Sequence, residues 1–213
     1  MTSLLNSLLV LVLMLNLFAL GSSRMRAVIR TVALQGTLLA LMPLLVHEHV
    51  DLAALALSLV TVLLKGIVIP TMLLRALQEA QIKREVEPLI GLLPSMILGA
   101  LGTCFAMVFA SQLPLAPEHS SSLLVPASLA TVLVGFILLT SRYKAISQVI
   151  GYLVLENGIY IFGMLLLKAM PHVVEMGVLL DLFVAVFVIC IIVNHINRAF
   201  SSLDTRHLAE LKE

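Results

Sequence analysis

The sequence predicts an all-α membrane protein that crosses the bilayer seven times, and three observations support this. Hydrophobic residues make up 61% of the chain and charged residues 12%, with a mean hydropathy of +1.12, whereas soluble domains average roughly 45 to 50% apolar and 25% charged residues. Apolar runs of about 20 residues, the length that an α-helix needs to cross a bilayer, recur along the chain. Basic residues also gather in alternate connections between these runs.

The predicted spans cover 3–20, 27–46, 52–74, 88–111, 122–140, 146–167 and 173–194. No basic side chain precedes the first run, which is longer than the roughly 7 to 15 apolar residues of a signal-peptide core, so we expect a retained helix. In the third run, Pro70 cannot donate a backbone hydrogen bond, and we expect a local break that frees the carbonyl of Gly66. The longest predicted loop, 75–87, is either a solvated linker or a short amphipathic turn on the membrane surface.

The connection at 112–121 contains two prolines and several serines and divides the chain. It separates a four-helix membrane part, 1–111, from a three-helix part, 112–213, which ends in a short tail. No predicted loop is long enough to hold a folded domain outside the membrane.

The distribution of charge predicts the orientation. Basic residues follow the first, third, fifth and seventh spans, or open the next one: Arg24, Arg26, Arg30, Arg75, Lys83, Arg84, Arg142, Lys144, Arg198, Arg206 and Lys212. The opposite connections hold Lys168 beside histidines and acids. The positive-inside rule therefore places the N-terminus outside and the C-terminus in the cytoplasm.

Several classes of function are excluded. Thirteen Lys and Arg against twelve Asp and Glu leave no basic surface for nucleic acid. Cys104 and Cys190 both fall inside apolar spans without a CxxC or Cys/His pattern, so the chain has no ligand set for an iron-sulfur cluster or a structural zinc. Motifs of soluble enzymes such as GxGxxG, the P-loop, HExxH and GxSxG are absent.

Glu156 is the most informative single residue, because it lies in the middle of the sixth span. A carboxyl group at that depth is costly unless a partner or water reaches it, which makes it a functional-site hypothesis. Gln148, Tyr152 and Tyr160 stand at intervals of four residues from it and so share its helix ridge. The two tyrosines either line a wetted path as accessory relays or are ordinary packing aromatics.

The seventh span carries a second buried acid, Asp181, about nine residues from its outer end and so roughly 14 Å deep at about 1.5 Å per residue. Because spans six and seven form an antiparallel hairpin, Asp181 and Glu156 are expected at nearly the same depth, where they could share a proton through water. Glu175 falls on another face as an interfacial acid or an outer relay, and His195, near the inner end, is either a proton-passing group or a polar helix end.

Lys65 is the third buried charge. Ser58, Thr61 and Lys65 form a polar stripe on the third span. Lys65 lies too far from the inner helix end for its stem to reach water, so it is expected either to relay charge or to form a structural ion pair. Gln35, Asn6 and Asn16 are expected to be hydrogen-bonding partners between helices.

The run Gly151-Tyr-Leu-Val-Leu-Glu-Asn-Gly, the run Val174-Glu-Met-Gly-Val-Leu-Leu-Asp and the tail from Leu203 to Lys212 resemble the membrane component E of hydrogenase-4, the formate hydrogenlyase type. Lys65 and Pro70 also look like that family. Spans five to seven are similar to the K subunit of respiratory complex I, whose second and third helices carry buried acids.

The resemblance implies a non-redox subunit of a membrane-bound nickel-iron hydrogenase related to complex I, in the cytoplasmic (inner) membrane of a prokaryote. Glu156, Asp181 and Lys65 would form part of its proton-translocation axis. The chain itself would hold no cofactor. The nickel-iron site, the iron-sulfur clusters, the antiporter-like channels and the quinone-site-like subunit would belong to partner subunits. Two alternatives stay open, a purely structural scaffold of the same complex and a freestanding seven-helix transporter or receptor.

Overall fold

A computed structural model of the protein describes residues 2–46, 52–79, 89–114 and 122–166, together with the single positions 177, 184, 188 and 191. The regular elements of this part are helices. They are α1 (Thr2–Gly21), α2 (Met25–Val46), α3 (Leu52–Leu63), a π-helical turn (Leu64–Val68), α4 (Ile69–Glu79), α5 (Leu92–Gln112), α6 (Leu124–Ser141), α7 (Ala145–Gly163) and a 3₁₀ turn (Met164–Leu166).

Six helical stretches are long and apolar enough to cross a membrane: Ser3–Gly21, Met25–Leu45, Ser58–Gln78, Leu92–Gln112, Leu124–Ser141 and Ile146–Gly163. They confirm the prediction of an all-helical membrane protein. The predicted seventh span, 173–194, lies outside the described residues except at four positions, of which Val188 is buried in the same apolar cluster as Ile150 and Val154. The count of seven spans and the orientation stay predictions.

The third span differs from its predicted form. It does not break before Pro70. Instead, the helix widens into the π-helical turn, where the backbone N–H of Ile69 donates to the carbonyl of Leu64. A proline lacks the amide hydrogen and crowds the carbonyl four residues earlier, and a wider turn relieves this conflict. The helix then continues to Glu79, five residues past the predicted end, so Arg75 belongs to a helix and not to the loop.

Three glycines bring α6 and α7 into backbone contact. A Cβ atom added to Gly158 would lie 2.6 Å from the backbone nitrogen of Val132, and one added to Gly135 would lie 2.5 Å from that of Leu155. Gly151 meets α6 in the same way at Leu139. Small residues permit such close approach between helices in a membrane. The contact between α6 and α7 is therefore made by backbone atoms, which cannot rotate away as side chains can.

Arg142 has a role that its place in a predicted loop did not indicate. It is 3% exposed, and its Nη2 donates to the backbone carbonyl of Leu20 at 2.9 Å. Burial lowers the pKa of this guanidinium. Arg142 therefore ties the connection between α6 and α7 to the end of α1, in addition to any contribution that it makes to orientation.

The distribution of polarity is that of a membrane bundle. Helix α5 exposes an apolar outer surface, with Leu93, Ile97, Leu101, Phe105 and Val108 each more than half exposed. The interior holds polar side chains, among them Asn16, Gln35, Lys65, Thr131, Glu156 and Asn157. The two charged side chains in the middle of described spans, Lys65 and Glu156, are thus inside, where protein groups can pair with them.

Candidate buried charge site

Lys65 and Glu156 form a buried ion pair in the interior of the bundle. Lys65 Nζ lies 3.4 Å from Glu156 Oε1, and each side chain is 9% exposed. The lysine belongs to the π-helical turn and the glutamate to α7, so residues 91 positions apart in the chain meet here. Two of the three predicted buried charges therefore face each other.

The lysine stem reaches this position because α2 has no side chain in its way. A Cβ atom at Gly36 would lie 3.1 Å from Lys65 Cβ and 3.3 Å from Lys65 Cδ. On the other side, the ammonium lies 5.6 Å from the centre of the Tyr160 ring, within the range of a cation–π interaction. Gly36 and Tyr160 together keep the stem inside the bundle.

A series of amides extends the site across the bundle. Lys65 Nζ donates to Asn157 Oδ1 at 3.3 Å, and Asn157 Nδ2 donates to Gln35 Oε1 at 3.4 Å. Gln35 Nε2 donates to Asn16 Oδ1 at 2.9 Å, and Asn16 Nδ2 donates to Thr131 Oγ1 at 2.8 Å. These five side chains, which we call the amide chain, come from the π-helical turn, α7, α2, α1 and α6, and none is more than 9% exposed.

Glu156 has fewer observed polar partners than Lys65. Neither of its carboxyl oxygens makes a hydrogen bond within the part of the chain that the structure describes, so the ammonium at 3.4 Å is its observed charged neighbour. A cavity of about 20 Å³ lies beside Lys65, and its lining includes Asn157, Gly36 and Pro70 but not Glu156. A space of this size holds about one water molecule.

Of the aromatic and polar side chains on the predicted ridge of α7, only some lie against the buried ion pair. Tyr160 lies against the ammonium, whereas Tyr152 packs against the apolar cluster around Ile150. Gln148 is exposed and donates to the backbone carbonyl of Arg142 at 3.4 Å. Asp181, Glu175 and His195 lie outside the described residues, so their predicted roles stay predictions.

The predicted interhelical roles of the polar residues on α1 and α2 are confirmed. Gln35 joins Asn16, and Asn6 accepts a hydrogen bond from the backbone N–H of Leu123 at 3.0 Å. The sequence placed Asn157 beside Glu156 but assigned it no partner, and it contacts both Lys65 and Gln35. An amide next to a buried acid on a helix was the available signal, but helix spacing alone did not show which residue it faces.

The site offers an acid and an amine in contact, which can exchange a proton when a third group or water delivers or removes one. Within the described ranges, no cluster of three His, Cys, Asp or Glu side chains could bind a metal ion.

Comparison with known proteins places this bundle in a family. The chain is 34% identical over 192 residues to the uncharacterized protein Rv0085 of Mycobacterium tuberculosis, and the match covers 89% of this chain and 87% of that protein. The chain belongs to the Rv0085 family. No protein-family model matches it, and no solved structure gives a significant match.

The Rv0085 family member described here also resembles a second group of proteins over part of its length. It is 31% identical over 109 residues to hydrogenase-4 component E of Escherichia coli, and the same match is found with component E of Shigella flexneri. The match covers 51% of this chain and 50% of component E. The chain thus spans about half the length of this second relative.

Proposed function

We propose that the protein is a membrane subunit of a complex I-related, membrane-bound nickel-iron hydrogenase of the formate hydrogenlyase type, and that it supplies buried charges to the proton-translocation axis. The observation that carries the proposal is the ion pair between Lys65 and Glu156 inside the bundle. The partial similarity to hydrogenase-4 component E supports the choice of assembly.

Lys65 and Glu156 are proposed to act as neighbouring proton carriers. The ammonium stabilises the carboxylate, and transfer of one proton between them leaves a neutral pair, which a low-dielectric interior disfavours less than two separated charges. Lys65, which lines the adjacent cavity, can exchange its proton with water there. Asp181 is proposed as the next acid on the last span, with Tyr152, Tyr160, Glu175 and His195 as accessory groups.

The proposed setting is the inner membrane of a prokaryote, with seven spans, the N-terminus outside and the C-terminus in the cytoplasm. The four groups of basic residues along the sequence support this orientation. The nickel-iron site and the iron-sulfur clusters are proposed to reside in partner subunits. Antiporter-like subunits and a quinone-site-like subunit are the proposed membrane neighbours.

Replacing Glu156 by glutamine tests the relay. The change keeps the size of the side chain and removes its exchangeable proton, so we expect the complex to assemble and to lose ion movement coupled to hydrogen turnover by about tenfold or more. The measurement is the ion gradient formed per hydrogen turned over in membrane vesicles. Gln148→Leu, on the same ridge but exposed, is the matched control and should leave coupling unchanged.

If Glu156→Gln vesicles retain coupling at the level of the parent protein, the relay is refuted and the chain is a structural scaffold. A loss of the assembled complex on native gels would instead indicate that the charge is needed for assembly. Comparing the amount of complex with the coupling per complex separates these two results.

Capture of the tagged chain from mild detergent tests the proposed assembly. We expect nickel-iron hydrogenase subunits and antiporter-like membrane subunits to co-purify with it, as identified by mass spectrometry. A lone, monodisperse chain that takes up ions by itself in liposomes would favour the freestanding transporter and contradict the proposal. The capture should be repeated with the Glu156→Gln variant to show that partner binding does not depend on the charge.

A further inference from the structure

The amide chain has a single direction. Each donor along it points away from the lysine, from Lys65 to Asn157, then to Gln35, to Asn16 and to Thr131. Each of the three amides accepts with its oxygen from the lysine side and donates with its nitrogen to the far side. The direction is therefore the same at four successive hydrogen bonds across five helical segments.

The charge of the lysine fixes this direction. An ammonium can only donate, so Asn157 must present its oxygen to Lys65 and its nitrogen to Gln35. The same constraint then passes through Gln35 to Asn16. An unprotonated amine can accept a hydrogen bond. It would allow every amide in the chain to rotate so that its oxygen and nitrogen exchange positions.

Thr131, at the far end of the amide chain, can form its hydrogen bond with Asn16 whichever way the chain runs. Thr131 Oγ1 accepts from Asn16 and donates to the backbone carbonyl of Ala127 at 2.7 Å. A hydroxyl group can both accept and donate, and it rotates to suit its partners. Thr131 therefore satisfies the nitrogen of Asn16 when the lysine is charged, and it could donate to the oxygen of Asn16 if the chain were reversed.

We propose that Asn157, Gln35 and Asn16 are positioning residues that hold Lys65 in its charged form beside Glu156, and that Thr131 is the end group that accepts the last hydrogen bond of the chain. Aligned hydrogen bonds polarise one another and favour the charge at their head. The inference rests on the proposed function, because it treats the Lys65–Glu156 pair as one that exchanges a proton. It adds the residues that bias this exchange.

Thr131→Val tests the proposal at the point farthest from the charge. Valine has a similar shape without the hydroxyl, so the Nδ2 of Asn16 loses its acceptor, and buried N–H groups are less often left unpaired than carbonyl oxygens. The reversed chain then becomes the better arrangement, and it requires an uncharged lysine. We expect the ratio of protonated to ionised Glu156 to rise severalfold, up to about tenfold for the loss of one buried hydrogen bond between neutral groups.

The measurement is infrared difference spectroscopy of the full chain in phospholipid vesicles at neutral pH. The carboxyl bands of Glu156 are identified by their loss in Glu156→Gln. Two controls accompany the variant. Thr131→Ser keeps the hydroxyl and should give the spectrum of the parent protein. Thr103→Val removes a hydroxyl that donates only within α5, to the carbonyl of Gly99 at 2.8 Å, and should also leave the bands unchanged.

The proposal is overturned if Thr131→Val and Thr103→Val give the same Glu156 bands as the parent protein. If Thr131→Val does not fold, as judged by its elution in size-exclusion chromatography, the pair Asn16→Leu and Asn6→Leu makes the same comparison. Both asparagines are on α1 and bond to another part of the bundle, but only Asn16 belongs to the amide chain. Equal bands in that pair would overturn the proposal.

The spectrum does not require hydrogenase partners, so it can fail independently of the proposed function. A band shift in Thr131→Val, combined with full ion coupling in Glu156→Gln, would uphold the positioning role and refute the relay. Unchanged bands combined with lost coupling would refute the positioning role alone.

Discussion

Replacing Gly158 by leucine is expected to abolish the folded protein. A Cβ atom at this position would lie 2.6 Å from the backbone nitrogen of Val132 and 3.1 Å from the carbonyl oxygen of Ser128. These are backbone atoms of α6 and cannot rotate away as a side chain would. Overpacking by a few methylenes typically costs about 1 to 3 kcal/mol, and a whole leucine side chain between two touching backbones should exceed this range.

The matched control lies on the same helix. A Cβ atom at Gly163 meets nothing within 4 Å in the described structure, so Gly163→Leu should accumulate and elute like the parent protein. The measurement is the yield of monodisperse protein after detergent extraction. Equal yields for both variants would show that α6 and α7 are not packed as closely as the structure has them.

Replacing Lys65 by methionine should cause the second large loss. The change keeps an apolar stem but leaves the buried carboxyl of Glu156 without the cation that lies 3.4 Å away. Removing one partner of a buried ion pair typically costs about 3 to 5 kcal/mol. We expect a clear fall in the temperature at which half of the purified protein aggregates, and the oxygen of Asn157 would also lose its donor.

The double variant Lys65→Met/Glu156→Met separates stability from function. Apolar replacement of both partners removes the buried charge, so most of the lost stability should return. Ion coupling should not return, because neither proton carrier is present. A double variant whose loss of stability equals the sum of the losses in Lys65→Met and Glu156→Met would show that the two residues do not interact, whereas one that regains coupling would favour the scaffold alternative.

The sequence was sufficient to find Lys65 and Glu156 but not to pair them. Both stand out because a charge in the middle of an apolar span needs a reason. The sequence suggested Asp181 as the neighbour of Glu156, since equal depth on a hairpin is readable from residue counts. The structure brings Lys65 to Glu156, and the role of Asp181, which lies outside the described residues, stays a prediction. Depth follows from counting along a helix, but the partner depends on how helices are rotated about their axes.

Contacts that depend on three-dimensional packing also explain the other differences between the predicted and the observed structure. Pro70 correctly marked an irregular place, but hydropathy could not distinguish a break from a π-helical turn, because both remove the same hydrogen bond. Arg142 was counted by its charge, and its burial depends on the carbonyl of Leu20, which is distant in sequence. Gly135 and Gly151 carry no polarity signal at all, so their contact with the opposing backbone was visible only in three dimensions.

The glycine contacts between α6 and α7 bear on how this bundle can move. At the three glycines no side chain separates the two backbones, which leaves no space to slide there, so the two helices should behave as a rigid body. Glu156 is on that rigid body, whereas Lys65 is on a long stem in a helical turn that is already irregular. Any rearrangement that accompanies charge transfer should therefore move Lys65 and its helical turn, while the carboxyl group of Glu156 stays in place.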